Sequence, residues 1–350
     1  MLSRHFLRAK VLQNVYAFVS CDQAEPEAHM RHFAQSIDQL NELGLYQLSL
    51  LPELVDTAER AIEDARQKFN PSEDERNPSY RLIQNRFIQR LRDNYDYRRY
   101  TERLGLSWSL QADAFRRAYN TMREVRYYVD YLHNPADDFE TDKQFAIDLF
   151  RYLVNDDTLR TAIVDRGLTR KDERTPVERG LTWEDDFFQV AQYNFMMLKT
   201  LTDETFDVAM RLPLMYDARE EKDETDYTYA ADLLRNTLAH LNDNEALIRE
   251  HLQNWDFERV ALMDILIINM AINELEYCPS IPERVTMDEY IELAKEFSTD
   301  KSKIFINGIL EKLLSALRAA GRVNKSGRGL YDPDWDADES TPDPSNPTEP

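Results

Sequence analysis

Glycine is scarce in this chain, with 8 residues in 350. No phosphate-cradling glycine loop, dinucleotide fingerprint or serine elbow occurs, and the common nucleotide-dependent and hydrolytic chemistries lose their usual sequence support. Cys21 and Cys278 are the two cysteines, too few for a disulfide framework or a zinc site; they read as unreactive thiols. No run of about 18 apolar residues exists, so no membrane span and no membrane partner are implied. The stretch Leu262 to Ile272 is apolar but short, and Asp264 and Asn269 interrupt it. Near the N-terminus Arg4 and Arg8 precede no long apolar region or small-residue cleavage site, so no signal peptide is expected and the chain reads as cytoplasmic. Of the 6 histidines, His29 and His32 can share a helix face, yet no HExxH pattern accompanies them and no metal or other cofactor is expected. The acid pairs Asp137-Asp138, Asp156-Asp157 and Asp185-Asp186 are adjacent, point apart in a helix, and read as caps and solvated surface. Without a convergent set of catalytic groups, the chain is expected not to be an enzyme.

What the sequence does contain is helical. With 42% hydrophobic and 11% aromatic residues it can bury a sizeable core. Apolar residues recur at spacings of three and four, the helical period: Phe6, Leu7, Val11, Val15 and Phe18; Phe145, Leu149, Tyr152 and Leu153; Ile304, Phe305, Ile309, Leu313 and Leu317. Strand-like alternation is scarce and no fixed-period repeat is evident. Breaks are expected at Asn70-Pro71, Asn77-Pro78, Asn134-Pro135, Thr175-Pro176 and Leu212-Pro213, because proline disfavours helix at the residue before it. The fold class is therefore all-α, with roughly ten or more helices at ordinary helix lengths.

Charge is distributed unevenly. The net charge is −22, but residues 1–20 carry +3 and residues 299–331 carry +5, whereas residues 21–298 carry −23 and residues 332–350 carry −7. Two basic stretches thus flank an acidic body. Distribution matters more than the sum for nucleic-acid binding, and packing of the two stretches together would create one cationic face. The tail from residue 331 onward is rich in Asp, Pro, Ser and Thr and is expected to be disordered.

Local signals are clearest near the C-terminus. Thr286 with Glu289 three residues on forms a capping-box pattern, which predicts a helix starting just after Thr286. Thr299 or Asp300 is placed to cap the next helix and Gly321 to end it. Gly308 lies inside that helix at a cost of about 1 kcal/mol against alanine. Close packing of another helix, or approach of an RNA strand, would account for it.

The order of these pieces carries a family resemblance. An apolar helix ends at Asn273-Glu274-Leu275. A link with Ile281-Pro282 follows, then a helix with Val285, Met287, Glu289 and Glu292 to Phe297, then one with Lys303, Phe305 and Ile306-Asn307-Gly308. Together with Arg4, Arg8, Lys10, Gln13 and Tyr16 in the opening helix, this order resembles the NusB family of bacterial transcription antitermination proteins. The resemblance covers residues 1–20 and about 226–322, which implies a NusB-like helical bundle. Residues 21–225 would be a large helical insertion forming an accessory lobe, and residues 331–350 the acidic tail.

The resemblance also implies partners. Single-stranded boxA-type RNA would be held by Arg4, Arg8, Lys10, Gln13 and Tyr16 of the first helix and by Lys301, Lys303, Phe305 and Asn307 near the Phe-x-Asn-Gly helix. The small ribosomal subunit protein NusE would meet Asp264, Asn273, Glu274 and Glu289, and the assembly would act on the transcription elongation complex. The chain departs from the family pattern at Lys301, at Ile304 and at Asn269, where an arginine is common. Each residue also has a plainer reading: Phe305 can anchor a helix, Asn307 can bond to backbone, and Glu274 and Glu289 can be core or capping groups. In the insertion, Tyr95, Tyr97, Tyr100, Tyr127, Tyr128 and Tyr131 lie near Arg98, Arg99, Arg123 and Arg126, which could stack bases or build a core. A contrasting function is a helical scaffold that keeps the fold without binding RNA.

Overall fold

Helix formation follows the apolar period along most of the computed structural model, which describes residues 4–21, 25–70, 72–169, 176–212, 226–252, 257–299 and 301–330. The helices are α1 (Arg4–Ser20), α2 (Pro26–Arg66), α3 (Glu73–Arg76), α4 (Arg86–Asp93), α5 (Tyr95–Leu104), α6 (Ala112–Met122), α7 (Arg126–His133), α8 (Phe139–Val154), α9 (Asp157–Thr169), α10 (Pro176–Thr200), α11 (Asp226–His251), α12 (Leu262–Tyr277), α13 (Glu283–Phe297) and α14 (Ser302–Ala319). Among the described residues there is no strand, so the protein is all-α. None of the described helices is long and apolar enough to cross a membrane. Two of the expected breaks lie fully inside the described residues, and α3 and α7 stop at Arg76 and His133, each followed by Asn-Pro.

The chain divides into two units, one of residues 3–35 with 218–350 and the other of residues 1–2 with 36–217. The first division falls inside α2. The acidic tail lies outside the described residues.

In the unit of residues 36–217, buried polar groups join the helices. The indole N–H of Trp108 donates to Ser49 Oγ at 2.8 Å, and Asn194 Nδ2 donates to the Gly44 carbonyl at 3.0 Å and to Gln47 Oε1 at 3.1 Å. Asn85 bonds to the Tyr131 hydroxyl and the Asp142 carbonyl, while the Tyr131 ring stacks on Phe145 at 3.9 Å. Of the tyrosines singled out in this stretch, Tyr97, Tyr128 and Tyr131 are buried.

The other unit is built around α12. Leu266 to Leu275 is buried on every side, as expected for a helix that is apolar all round. It is packed by α1, α11, α13 and α14. Phe6, Leu7, Val11 and Val15 of α1 are buried as their spacing predicts, as are Ile272, Leu275, Ala294 and Leu310. Ile265, Ile291 and Leu314 sit half-buried at the rim of the same core. Helix α11 leaves helical geometry at His240, where its ring stacks on Tyr277 at 5.1 Å.

Two local expectations differ from the structure. Helix α13 starts at Glu283, one residue after Pro282, and Thr286 lies within its first turn. The Thr286 hydroxyl donates to Glu274 Oε1 at 3.0 Å and does not cap its own helix, because a residue inside the first turn no longer stands at the N-cap position. At Gly308 a Cβ would meet nothing within 4 Å, so close helix packing does not explain the glycine. Gly321 ends α14 as predicted, with φ +66° and with the Arg322 amide returning to the Leu317 carbonyl.

After α14 the chain folds back onto the turn between α12 and α13. The Ser326 amide donates to the Pro279 carbonyl at 2.9 Å. A Cβ at Gly329 would stand 1.9 Å from that same oxygen, so this crossing admits only glycine. Lys325 Nζ donates to the Cys278 carbonyl at 3.1 Å and the Glu274 carbonyl at 3.4 Å, placing a cation at the C-terminus of α12 where the helix dipole favours it.

Candidate nucleic-acid interface

Helix α1 carries two of its three cations inward. Arg8 is 1% exposed and Lys10 2% exposed. Arg8 forms a two-pronged pair with Glu274 of α12, Nε to Oε2 at 2.8 Å and the terminal nitrogen to Oε1 at 2.7 Å. Glu274 is completely buried. It also accepts the hydroxyls of Tyr229 at 2.6 Å, Tyr290 at 3.1 Å and Thr286. Arg8 reaches Glu289 of α13 at 3.1 Å as well.

An isolated buried carboxylate would be several kcal/mol unfavourable, and a fork-shaped guanidinium partner offsets that penalty. Burial by itself pushes the Glu274 carboxyl up, but the charge and hydrogen bonds of Arg8 outweigh it and hold the group below the usual carboxylate range. Burial and the Glu274 charge push the Tyr229 and Tyr290 phenols well up, so they stay neutral donors. The same two causes push the Cys278 thiol up to about 12, consistent with an unreactive thiol.

The network continues toward solvent. The His5 ring nitrogens lie 2.9 Å from Glu289 and 3.0 Å from Glu296. Arg4 pairs with Asp226 at 3.0 Å and lies over the Tyr229 ring, 4.9 Å from its centroid. Of the three cations of α1 expected to hold RNA, Arg8 and Lys10 are thus buried in the fold. Arg4 alone of the three reaches solvent, because Arg8 is consumed by Glu274. Gln13 is half-buried and Tyr16 exposed on the same helix.

His5 gives α1 a pH-dependent attachment. Its hydrogen bond to Glu289 raises its pKa above 6.5, against the opposing effect of burial, while the bond to His5 lowers that of Glu289. A raised folded pKa means that the stabilisation is complete below the unfolded value and is lost as pH rises through the folded one. Stability is expected to fall modestly, by about 1 kcal/mol or less for this partly exposed pair, as pH is raised from 6 to 8. In His5→Asn the urea midpoint should lose that dependence; an unchanged slope in the variant would remove His5 as its source.

At the turn between α13 and α14, Asp264 accepts the hydroxyls of Ser298 and Ser302, the latter at 2.9 Å. This pins the start of α14, where Lys301 is exposed, Lys303, Phe305 and Asn307 are half-buried, and Ile304 is 73% exposed. Asn307 Nδ2 donates to Glu311 at 2.9 Å. Lys301, Ile304 and Gly308 share one face by helical spacing, beside the open space over Gly308.

The four residues expected to meet a protein partner are mostly internal. Asp264, Asn273 and Glu274 are buried, and Glu289 is partly exposed. Asn273 donates to the Asn269 carbonyl at 2.8 Å and to Asn269 Oδ1 at 3.1 Å. Asn244 donates to that same oxygen at 3.1 Å. Asn269 therefore serves a buried amide cluster at the place where an arginine is common in the resembled family. Lys325 was missed by sequence reasoning; no local pattern marks it, because its partners are backbone carbonyls on another helix. Among the described residues no group of three His, Cys, Asp or Glu side chains is placed to hold a metal ion.

Comparison with known proteins gives the same direction. The family model described as "NusB family" matches residues 187–315. The transcription antitermination protein NusB of Salinibacter ruber is 34% identical over 128 residues, covering 37% of this chain and 76% of that protein. The chain belongs to the NusB family. Its counterpart from Natranaerobius thermophilus is 31% identical over 130 residues, 37% of this chain and 94% of that protein, and the one from Chloroherpeton thalassium is 31% identical over 141 residues, 36% of this chain and 67% of that protein. No solved structure matches the chain. The NusB match takes in all of α12 and α13 and most of α14, and it reaches back to residue 187 in α10, beyond the boundary near 226 that the motifs suggest. Most of the unit of residues 36–217 lies before it and is extra to the NusB match.

Proposed function

We propose that this protein is a non-enzymatic RNA-binding transcription antitermination factor that holds boxA-type single-stranded RNA together with the ribosomal protein NusE on the transcription elongation complex. The observation that carries this reading is the exposed start of α14 in the family-matched region. There Lys301 and Lys303 supply cations, Phe305 and Asn307 lie beside them, and the space over Gly308 is open. RNA recognition needs cations for phosphates and planar groups for unstacked bases. Arg4, Gln13 and Tyr16 of α1 are proposed to complete the contact. Arg8 and Lys10 act from inside by fixing the position of α1. For NusE, Glu289 is proposed as the member of its set with solvent access, and Asp264, Asn273 and Glu274 as the groups that shape the surface from beneath.

The test is a titration of boxA-type RNA with and without NusE across a range of salt. Affinity should fall steeply with salt, since phosphate contacts release counterions. Arg4→Ala with Lys301→Ala and Lys303→Ala should weaken binding at least ten-fold, on the order of 0.5–1 kcal/mol per lost contact. No RNA affinity at any salt, with NusE present, would make the protein a helical scaffold instead.

A further inference from the structure

We propose that the outward face of α5, in the unit of residues 36–217, is a second contact for single-stranded RNA. The proposal rests on the RNA-binding reading above but uses none of the same residues. Tyr95, Arg98, Arg99, Glu102 and Arg103 fall at positions i, i+3, i+4, i+7 and i+8 of α5, one helical face, and all five are exposed. Three guanidiniums and one carboxylate thus face solvent together, within a segment whose net charge over residues 21–298 is −23.

Their arrangement is more than a solvated charge row. The Arg99 guanidinium lies over two tyrosine rings, 4.7 Å from the Tyr100 centroid and 5.7 Å from Tyr95, and Arg103 lies over Tyr100 at 5.5 Å. Arg99 also donates to the Tyr100 hydroxyl at 2.9 Å. Its contact with Asp96 is long, 3.4 Å, and that carboxylate already accepts the Leu212 amide. Arg98 and Arg103 form no ion pair among the described residues. That sets them apart from Arg60, Arg86, Arg90 and Arg92 of the same unit, each of which is neutralised by an acid. Tyr95 is 63% exposed, and its amide donates to the Val208 carbonyl at 2.9 Å, which holds the first turn of α5 in place.

Guanidiniums held over tyrosine rings leave their remaining N–H groups for phosphate, and the exposed Tyr95 ring offers a face for an unstacked base. An acidic protein would satisfy the charges but would leave the aromatic component unused, so single-stranded RNA is the better match. Such a local cationic stripe also lets a transcript lie against a segment whose overall charge repels it.

The experiment uses the full chain with four probes: a short boxA-type oligonucleotide, the same oligonucleotide extended at either end by about twenty unpaired nucleotides, an unpaired RNA without the boxA-type sequence, and polyglutamate as an acidic peptide. The extension should raise affinity. R98A/R99A/R103A should abolish that gain, weaken the unrelated RNA at least ten-fold, and lower the slope of log affinity against log salt by about 2 for three lost single-strand contacts. Tyr95→Ala should weaken the extended RNA about five-fold, and both variants should bind the short oligonucleotide within two-fold of the parent. R98K/R99K/R103K retains the charge and loses the planar stack, so an intermediate affinity is expected and also shows that the fold is intact. A parent protein that binds neither the extension nor the unrelated RNA overturns the proposal, as does a triple alanine variant that keeps both. Loss of polyglutamate binding with unchanged RNA affinity overturns it in favour of an acidic protein partner. Failure of the short oligonucleotide alone, with the α5 effects retained, overturns the boxA reading and leaves this one standing.

Discussion

Arg8→Ala is expected to destabilise the protein by about 3–5 kcal/mol, the usual cost of removing one partner of a buried ion pair. The size follows from what is left behind. Glu274 is completely buried, and without Arg8 it retains only the three hydroxyls of Tyr229, Tyr290 and Thr286 as donors. Its carboxyl would then rise, because burial, the opposing influence in the intact protein, would no longer be outweighed. Urea unfolding should therefore show the loss at pH 7 and a smaller loss as pH falls and Glu274 takes up a proton. The double variant Arg8→Met with Glu274→Gln should recover part of the stability, since no charge is stranded. A loss under about 1 kcal/mol in Arg8→Ala would mean that Glu274 is solvated or neutral, and the account of this network would fail.

Leu310→Ala should cost about 2–5 kcal/mol, the range for deleting a buried leucine side chain. Leu310 is fully buried on α14, the helix that packs on α11, α12 and α13. Leu314, one turn further along and half-buried, should cost clearly less when replaced by alanine. The pair of measurements tests the orientation of α14, and with it the outward placement of Lys301 and Ile304. A cost below about 0.5 kcal/mol at Leu310 would show that the opposite face is buried.

These two predictions separate what is readable in the chain from what is not. Apolar spacing identified the buried side of α1 through Phe6, Leu7, Val11 and Val15, and a nearly uninterrupted apolar run marked α12 as an apolar helix. Both are local patterns with a local cause: side chains three and four apart share a helix face. Gly321 was readable for a similar reason, since a left-handed residue is needed just past the end of a helix. The three-part motif from Asn273 to Gly308 led to the right family.

Charged and hydroxyl side chains were readable only in part. Arg8 looks like a surface cation because its counterion, Glu274, is 266 residues away in sequence. Thr286 looks like a cap because its acceptor lies on another helix. The burial of a charge depends on whether the fold brings an opposite charge within hydrogen-bond distance, and no periodicity encodes that. Lys325 and Gly329 are the same case, because their roles are set by carbonyl groups of the α12–α13 turn. Helical class, the buried face of α1 and the family are legible in the chain, since each rests on spacing along one helix or on a contiguous motif. The tertiary structure alone decided which cations face water, because that depends on pairings between helices far apart in the chain.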